Sequence, residues 1–198
     1  MSDTAVKNDV SGGDAVSARN LGGVARWIAR LATVALIVLS INQAFNISSR
    51  MGYTLIEQQY LYTVLFLTIP VAFLLFPMRA SQARRGPTII DWVLAGLSAV
   101  CFVFFIYYAY SIIRYGWEMM PPLNTVVVGA VLWVLVIEAA RRAGGLVLAV
   151  IVLFFSTYPL FADKLPGPIS AFASPFEYVA AYHAMSLESM MGIPLRAF

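Results

Sequence analysis

Charged residues are scarce in this sequence. Only 12% of the 198 residues are Asp, Glu, Lys or Arg, against about 25% in a typical soluble protein. Apolar residues make up 61% of the chain, and the mean hydropathy is +0.80. The composition therefore excludes an ordinary soluble domain and predicts an integral membrane protein. The net charge of +3 is interpreted as loop charge at a membrane surface and not as a nucleic-acid-binding surface.

Cysteine and histidine are almost absent, since the chain has only Cys101 and His183. A single cysteine cannot form an intrachain disulfide, and Cys101 lies in an apolar run, which favours a packing role. One residue of each type leaves too few ligands for a transition-metal site. The sequence also lacks the HExxH, GxSxG and P-loop patterns. We therefore predict no catalytic, metal-binding or cofactor-binding residues, and we do not expect an enzyme.

The stretch 123–162 determines the predicted topology. It contains two apolar runs of about 18 residues, each roughly 27 Å of helix, which is enough to cross a bilayer. A short segment with the sequence Glu-Ala-Ala-Arg-Arg-Ala-Gly, residues 138–144, separates them. Because positive loops remain on the inner side, this turn is predicted to lie in the cytoplasm.

Counting apolar runs from this turn predicts an all-α fold, a polytopic membrane helix bundle. We expect about five transmembrane helices plus a C-terminal outer-surface amphipathic helix. The predicted transmembrane bundle covers 24–162, with helices at about 27–45, 59–78, 89–113, 123–140 and 145–162. Residues 1–23 are polar and glycine-rich and are predicted to be a disordered cytoplasmic tail. Residues 163–198 are predicted to be a periplasmic turn followed by the amphipathic helix.

Two groups of charges lie at helix ends on the predicted inner side. Thr88 and Asp91 have the spacing of a capping box at the start of the third helix, with Trp92 as an interface anchor. The alternative for Asp91 is an ion or partner contact. Glu138 precedes Arg141 and Arg142 by three and four residues, so the three can pair on one helix face. The alternative for this group is a docking contact.

The C-terminal segment carries a helix-start signal. Ser174 is predicted as the cap, with Pro175 in the first turn and Glu177 at the third position. Apolar residues then recur at helical spacing and form one stripe, comprising Phe176, Val179, Ala180, His183, Ala184, Leu187 and Met191. A helix of about 16 residues with such a stripe is expected to lie at the outer surface, and His183 to be packed or interfacial.

The order of these motifs resembles the N-terminal part of the fused permeases of TRAP (tripartite ATP-independent periplasmic) transporters of the TAXI-associated type. The matching pieces are Asp91-Trp92, the Glu138-to-Arg142 run, Tyr158-Pro159-Leu160 with Leu165-Pro166-Gly167, and the Phe176-Glu177 helix that leads to Gly192-Ile193-Pro194-Leu195. The resemblance covers about residues 30–195. Two departures are visible. The family commonly has Thr-Glu-Gly where this chain has Leu187-Glu188-Ser189, and the chain ends where the large transport domain would begin.

The resemblance implies the small-subunit-like portion of a secondary solute importer in a bacterial or archaeal cytoplasmic membrane, with the N-terminus inside. Expected partners are a large TRAP permease domain or subunit, a periplasmic solute-binding protein and the lipid bilayer. Candidate docking residues are Asp91, Trp92, Glu138, Arg141, Arg142, Glu177 and Glu188. The alternative function is a self-contained small integral membrane protein, such as a channel, an assembly factor or a non-functional permease remnant.

Overall fold

The computed structural model describes residues 18–50, 52, 54–79 and 86–189, and these residues form helices without any strand. The helices are α1 (Gly23–Phe45), α2 (Ile47–Arg50), α3 (Glu57–Leu75), α4 (Ile89–Tyr115), α5 (Leu123–Thr157) and α6 (Phe176–Met185). Short 3-10 turns follow α5 at Tyr158–Leu160, Ala162–Lys164 and Gly167–Ile169. The predicted all-α polytopic membrane bundle is thus confirmed.

Four helices in the described part of the chain are long and apolar enough to cross a membrane. They are α1, α3, α4 and a continuous stretch, Leu123–Leu160, that includes α5. The fourth spans 38 residues, about 57 Å if straight, which is nearly twice the thickness of a hydrocarbon core. Five spans are obtained only if this stretch is divided into two.

Gly145 divides it. This residue has a φ of 81° and a ψ of −180°, which no α-helix contains and which favours glycine. Trp133 and Ser156 lie on opposite sides of Gly145, yet both contact His183: its ring centre is 5.0 Å from that of Trp133, and its Nε2 is 2.8 Å from the Ser156 carbonyl oxygen. In a straight helix those two residues would be about 34 Å apart. The chain therefore reverses near Gly145, and α5 is a helical hairpin.

The core lies mainly between α3 and α4. Buried side chains on α4 recur at helical spacing and face Tyr62, Phe73 and Leu74 of α3; they are Ala95, Cys101, Phe102, Phe105, Ala109 and Ile112. The rings of Tyr62 and Phe105 stack with centres 5.4 Å apart. The thiol of Cys101 is buried and unpaired, as predicted.

Helix α1 is the least buried of the long helices. Its only buried residues are Ala25 and Ala32, and many of its large apolar side chains are exposed, among them Leu31, Val34 and Val38. Only the last residues of the predicted tail, 18–23, are described. Residues 1–17 lie outside the described residues, but Arg19 is 2% exposed and α1 begins at Gly23. The segment just before α1 is therefore packed against the bundle.

Helix α6 is shorter than predicted and starts one residue later. It has ten residues, and Pro175 is its N-cap, with no side-chain capping bond from Ser174. The Ser174 amide instead donates to the Pro159 carbonyl, 2.8 Å away. The predicted stripe is buried at Val179, Ala180, His183 and Ala184, while Phe176 is half exposed and Met191 lies outside the described residues.

The stripe of α6 packs on the first arm of the α5 hairpin, residues 123–144. A Cβ atom added to Gly129 would lie 3.1 Å from the Cβ of Ala184 and 3.2 Å from the Ala180 carbonyl oxygen. At that distance a side chain on Gly129 would force the two helices apart. The absence of a side chain at position 129 therefore permits this close approach.

Candidate functional site

Asp91 is the centre of a buried ion-pair network. Its side chain is fully buried, Oδ1 accepts a hydrogen bond from Arg142 Nη1 at 2.6 Å, and Oδ2 accepts one from Arg19 Nη1 at 3.0 Å. The capping box predicted at the start of α4 is also present. The Thr88 amide donates to Asp91 Oδ2 at 2.8 Å, and the Asp91 amide donates to Thr88 Oγ1 at 3.4 Å. One carboxylate thus both caps α4 and binds two guanidinium groups.

The predicted pairing around Glu138 is confirmed and joins the same network. Arg141 donates from Nε and Nη2 to the two Glu138 oxygens, each at 2.7 Å. Arg142 donates from Nε to Glu138 Oε1 at 2.9 Å, and its guanidinium carbon lies 5.2 Å from the centre of the Phe73 ring. Three arginines and two carboxylates are therefore connected, with one positive charge in excess.

Helix ends add favourable electrostatics to this network. The C-terminus of α3 presents carbonyl oxygens that accept two hydrogen bonds from Arg19. The Arg19 amide donates to the Leu75 carbonyl at 2.9 Å, and Arg19 Nη1 donates to the Leu74 carbonyl at 3.2 Å. Asp91 lies in the first turn of α4, at the positive end of the helix dipole. Arg19 and Asp91 therefore each lie near the helix end of opposite sign. The network ties the segment before α1 to α3, α4 and α5.

Three guanidinium nitrogens of the network are buried without a hydrogen-bond partner among the described residues. They are Nε and Nη2 of Arg19 and Nη2 of Arg142. Burial of charged groups is costly unless they are paired, and loss of one partner of a buried pair typically costs about 3–5 kcal/mol. The network is therefore sensitive to the loss of any single buried member.

A second polar centre surrounds His183, between α6 and the two arms of α5. Because Nε2 lies 2.8 Å from the Ser156 carbonyl oxygen, it carries the proton, and Nδ1 is left as the unprotonated nitrogen. Nδ1 and the neighbouring Trp133 Nε1 are both buried without a partner in the described chain. Burial lowers the pKa of His183, with the bond to the Ser156 carbonyl acting in the opposite direction. His183 is therefore a packed residue, as predicted.

A third polar group lies where α3 begins and α4 ends. Gln58 Nε2 donates to Glu118 Oε1 at 3.3 Å and to the Met185 carbonyl at 3.1 Å. The Tyr62 hydroxyl donates to the Ala184 carbonyl at 2.9 Å, so the end of α6 is fixed to α3. Burial raises the pKa of Glu118, and the nearby charge of Glu188 raises it further.

The structure brings together four of the seven candidate docking residues: Asp91, Glu138, Arg141 and Arg142. Asp91 and Arg142 are buried within the chain, whereas the Arg141 and Glu138 side chains are 32% and 25% exposed and accessible to a partner. Trp92 is 39% exposed beside this network. Glu177 and Glu188 are exposed and lie with α6, away from the network.

Sequence reasoning missed Arg19 and the pair between Asp91 and Arg142. Arg19 lies in a small, polar stretch where no periodicity marks it. A signal for the second pair was present, since the topology placed Asp91 and Arg142 at helix ends on the same side of the membrane. The described residues contain no group of three or more His, Cys, Asp or Glu side chains arranged to hold a metal ion.

Comparisons of the chain with protein-family models, with curated proteins and with solved structures find no match. A functional proposal therefore depends on the arrangement of helices and charges and on the order of the sequence motifs.

Proposed function

We propose that this chain is the small-subunit-like membrane portion of a TRAP-type secondary solute importer, which braces a large permease domain and helps dock a periplasmic solute-binding protein. The observation that carries this proposal is the ion-pair network around Asp91. It fixes four separate segments at one end of the bundle, as a brace requires. The choice of family in this proposal is supported by the order of sequence motifs.

The state of the buried carboxylates favours a bracing role over solute transport by this chain alone. Transport sites in membranes commonly present ionisable groups to a cavity or a broken-helix pair. Here Asp91 and Glu138 are each bound by two arginines. A carboxylate held in this way has little capacity to bind and release a coupling ion.

The exposed apolar surface supports the same proposal. Only 6% of the most apolar 18-residue window of α1 is buried within the chain, against 33% for α3 and α4. A helix with so little internal packing provides area for lipid or for a larger membrane domain. We propose that the network end faces the cytoplasm of a bacterial or archaeal cell, because Arg141 and Arg142 lie at the end of the first α5 arm, next to the turn at Gly145.

Co-purification tests the proposal. The open reading frame next to the gene is expected to encode about a dozen apolar spans, and its tagged product should retain this chain in mild detergent at a one-to-one ratio. Arg141→Glu should weaken the association, because Arg141 is the exposed arginine of the network. Arg50→Glu, a reversal of an exposed charge outside the network, is the matched control.

Two results would overturn the proposal. One is the absence of any large apolar reading frame beside the gene together with solute uptake by the purified chain in liposomes. The other is full retention of both Arg141→Glu and Arg50→Glu by the large permease, which would remove the network from the docking surface. The first result would favour a self-contained membrane protein.

A further inference from the structure

The start of α1 forms an open groove that combines positive charge with apolar surface. Its volume is about 570 Å³, and its lining includes Leu21, Arg26, Trp27, Arg30, Leu31 and Val34. Four of these residues, Trp27, Arg30, Leu31 and Val34, follow the i, i+3, i+4, i+7 spacing of one helix face. Arg26, Trp27 and Arg30 lie toward the helix start, and Leu31 and Val34 continue toward its middle.

The two arginines of this groove are not neutralised by the described part of the chain. Neither Arg26 nor Arg30 forms an ion pair with a described carboxylate; the pairs there involve only Arg19, Arg141 and Arg142. Arg26 donates from Nε to the Leu21 carbonyl at 2.7 Å, and its Nη atoms bind no described residue. Arg30 lies over the Trp27 ring, 5.6 Å from its centre. Two guanidinium groups thus face the groove with donors available.

Apart from Thr33, the remainder of the groove is apolar, and its large side chains are exposed. The side chains of Trp27, Leu31 and Val34 are 62%, 65% and 57% exposed. A tryptophan beside arginines at the end of an apolar helix is the usual composition of a membrane interface. The apolar residues then continue one to two turns further into the depth of the bilayer.

We propose that this groove binds an anionic glycerophospholipid, with the phosphate on Arg26 and Arg30 and an acyl chain along Leu31 and Val34. Guanidinium groups bind phosphate oxygens in a bidentate manner, and their donors match a headgroup that carries no ammonium of its own. A headgroup with net negative charge is therefore favoured over a zwitterionic one. The proposal goes beyond the function proposed above and does not depend on it.

The test compares lipids by the melting temperature of the purified full chain in detergent micelles. Phosphatidylglycerol should raise the melting temperature more than phosphatidylcholine does. Arg26→Gln/Arg30→Gln should abolish this difference and weaken phosphatidylglycerol binding about tenfold or more, since each basic residue near an anionic surface contributes to lipid attraction. Arg50→Gln/Arg114→Gln, which changes two exposed arginines outside the groove, should leave the difference unchanged.

A second variant separates the headgroup from the acyl chain. Val34→Trp fills the apolar part of the groove at an exposed position and leaves both arginines in place, so it should also weaken phosphatidylglycerol binding. Inorganic phosphate and glycerophosphoglycerol, which has no acyl chains, should not stabilise the protein.

Three outcomes would overturn the proposal. The first is an equal response of wild type and the Arg26→Gln/Arg30→Gln variant to phosphatidylglycerol. The second is stabilisation by inorganic phosphate alone, which would define a plain anion site. The third is a stable dimer in phosphatidylcholine that Val34→Trp dissociates, which would show that a second copy of the chain covers the groove.

Discussion

Arg142 and Asp91 are 51 positions apart in the sequence, and their Nη1 and Oδ1 atoms lie 2.6 Å apart. Both side chains are almost completely buried, at 1% and 0% exposure. The neighbouring Arg141 also binds a carboxylate, but its side chain is 32% exposed. Two adjacent arginines therefore form ion pairs in different environments, which gives a direct comparison of buried and exposed pairs in one protein.

Arg142→Met should destabilise the fold much more than Arg141→Met. Loss of Arg142 leaves Asp91 buried with Arg19 as its one charged partner, and breaking a buried pair costs about 3–5 kcal/mol. Loss of Arg141 removes a partly exposed pair, which contributes about 1 kcal/mol or less. Unfolding of both variants by denaturant in detergent micelles, followed by tryptophan fluorescence, measures the difference. Equal destabilisation would contradict the burial of the Asp91–Arg142 pair.

Arg19 should be essential for stability although it precedes the first helix. Its Nη1 donates to Asp91 Oδ2 and to the Leu74 carbonyl, so Arg19→Met, which loses both bonds, should cost about 3 kcal/mol of unfolding free energy. The exposed Arg50→Met is the control and should change stability by less than about 0.5 kcal/mol. The same micelle unfolding assay applies. An unchanged stability of Arg19→Met would mean that the Arg19 side chain does not contribute to the fold.

The sequence was informative about local relationships and less so about distant ones. The Thr88–Asp91 capping box and the Glu138–Arg141–Arg142 pairs were predicted, because both depend on spacings of three and four residues in one helix. The bonds from Arg19 and Arg142 to Asp91 depend on how separate segments pack. The periodicity of a single helix gives no information about that packing. The stripe of α6 was predicted, but its close packing was not, since only the structure shows which residue faces Gly129.

Gly129→Leu should displace α6 from the α5 hairpin. A Cβ at position 129 would already lie 3.1 Å from Ala184, and a larger side chain adds atoms to a packed interface at a cost of about 1–3 kcal/mol. Gly96→Leu in α4 is the matched control, because no atom lies within 4 Å of a Cβ placed there. Protection of the α6 amides in hydrogen exchange should fall in the Gly129 variant only. Unchanged protection would place α6 elsewhere.

Stability should depend on pH through two groups with opposite effects. Burial lowers the pKa of His183 in the folded protein. The contribution of His183 to the free energy of unfolding is therefore present above its unfolded-state pKa of about 6.5 and is lost as the pH falls through its folded-state pKa. Burial and the charge of Glu188 raise the pKa of Glu118. The contribution of Glu118 is therefore fully present below about pH 4.3 and is lost as the pH rises through the folded pKa.

Two conservative variants separate these effects when unfolding free energy is measured between about pH 4 and pH 8. His183→Gln retains an amide that can donate to the Ser156 carbonyl but does not titrate, so it should remove the loss of stability seen below about pH 6.5. Glu118→Gln should remove the loss seen as the pH rises, because its neutral amide resembles the protonated acid that burial favours. If the His183→Gln curve ran parallel to that of the wild type at every pH, His183 would not titrate differently on folding. Opposite changes in the two variants would instead assign the loss of stability at low pH to the buried His183, and the loss at higher pH to the burial of Glu118 near Glu188.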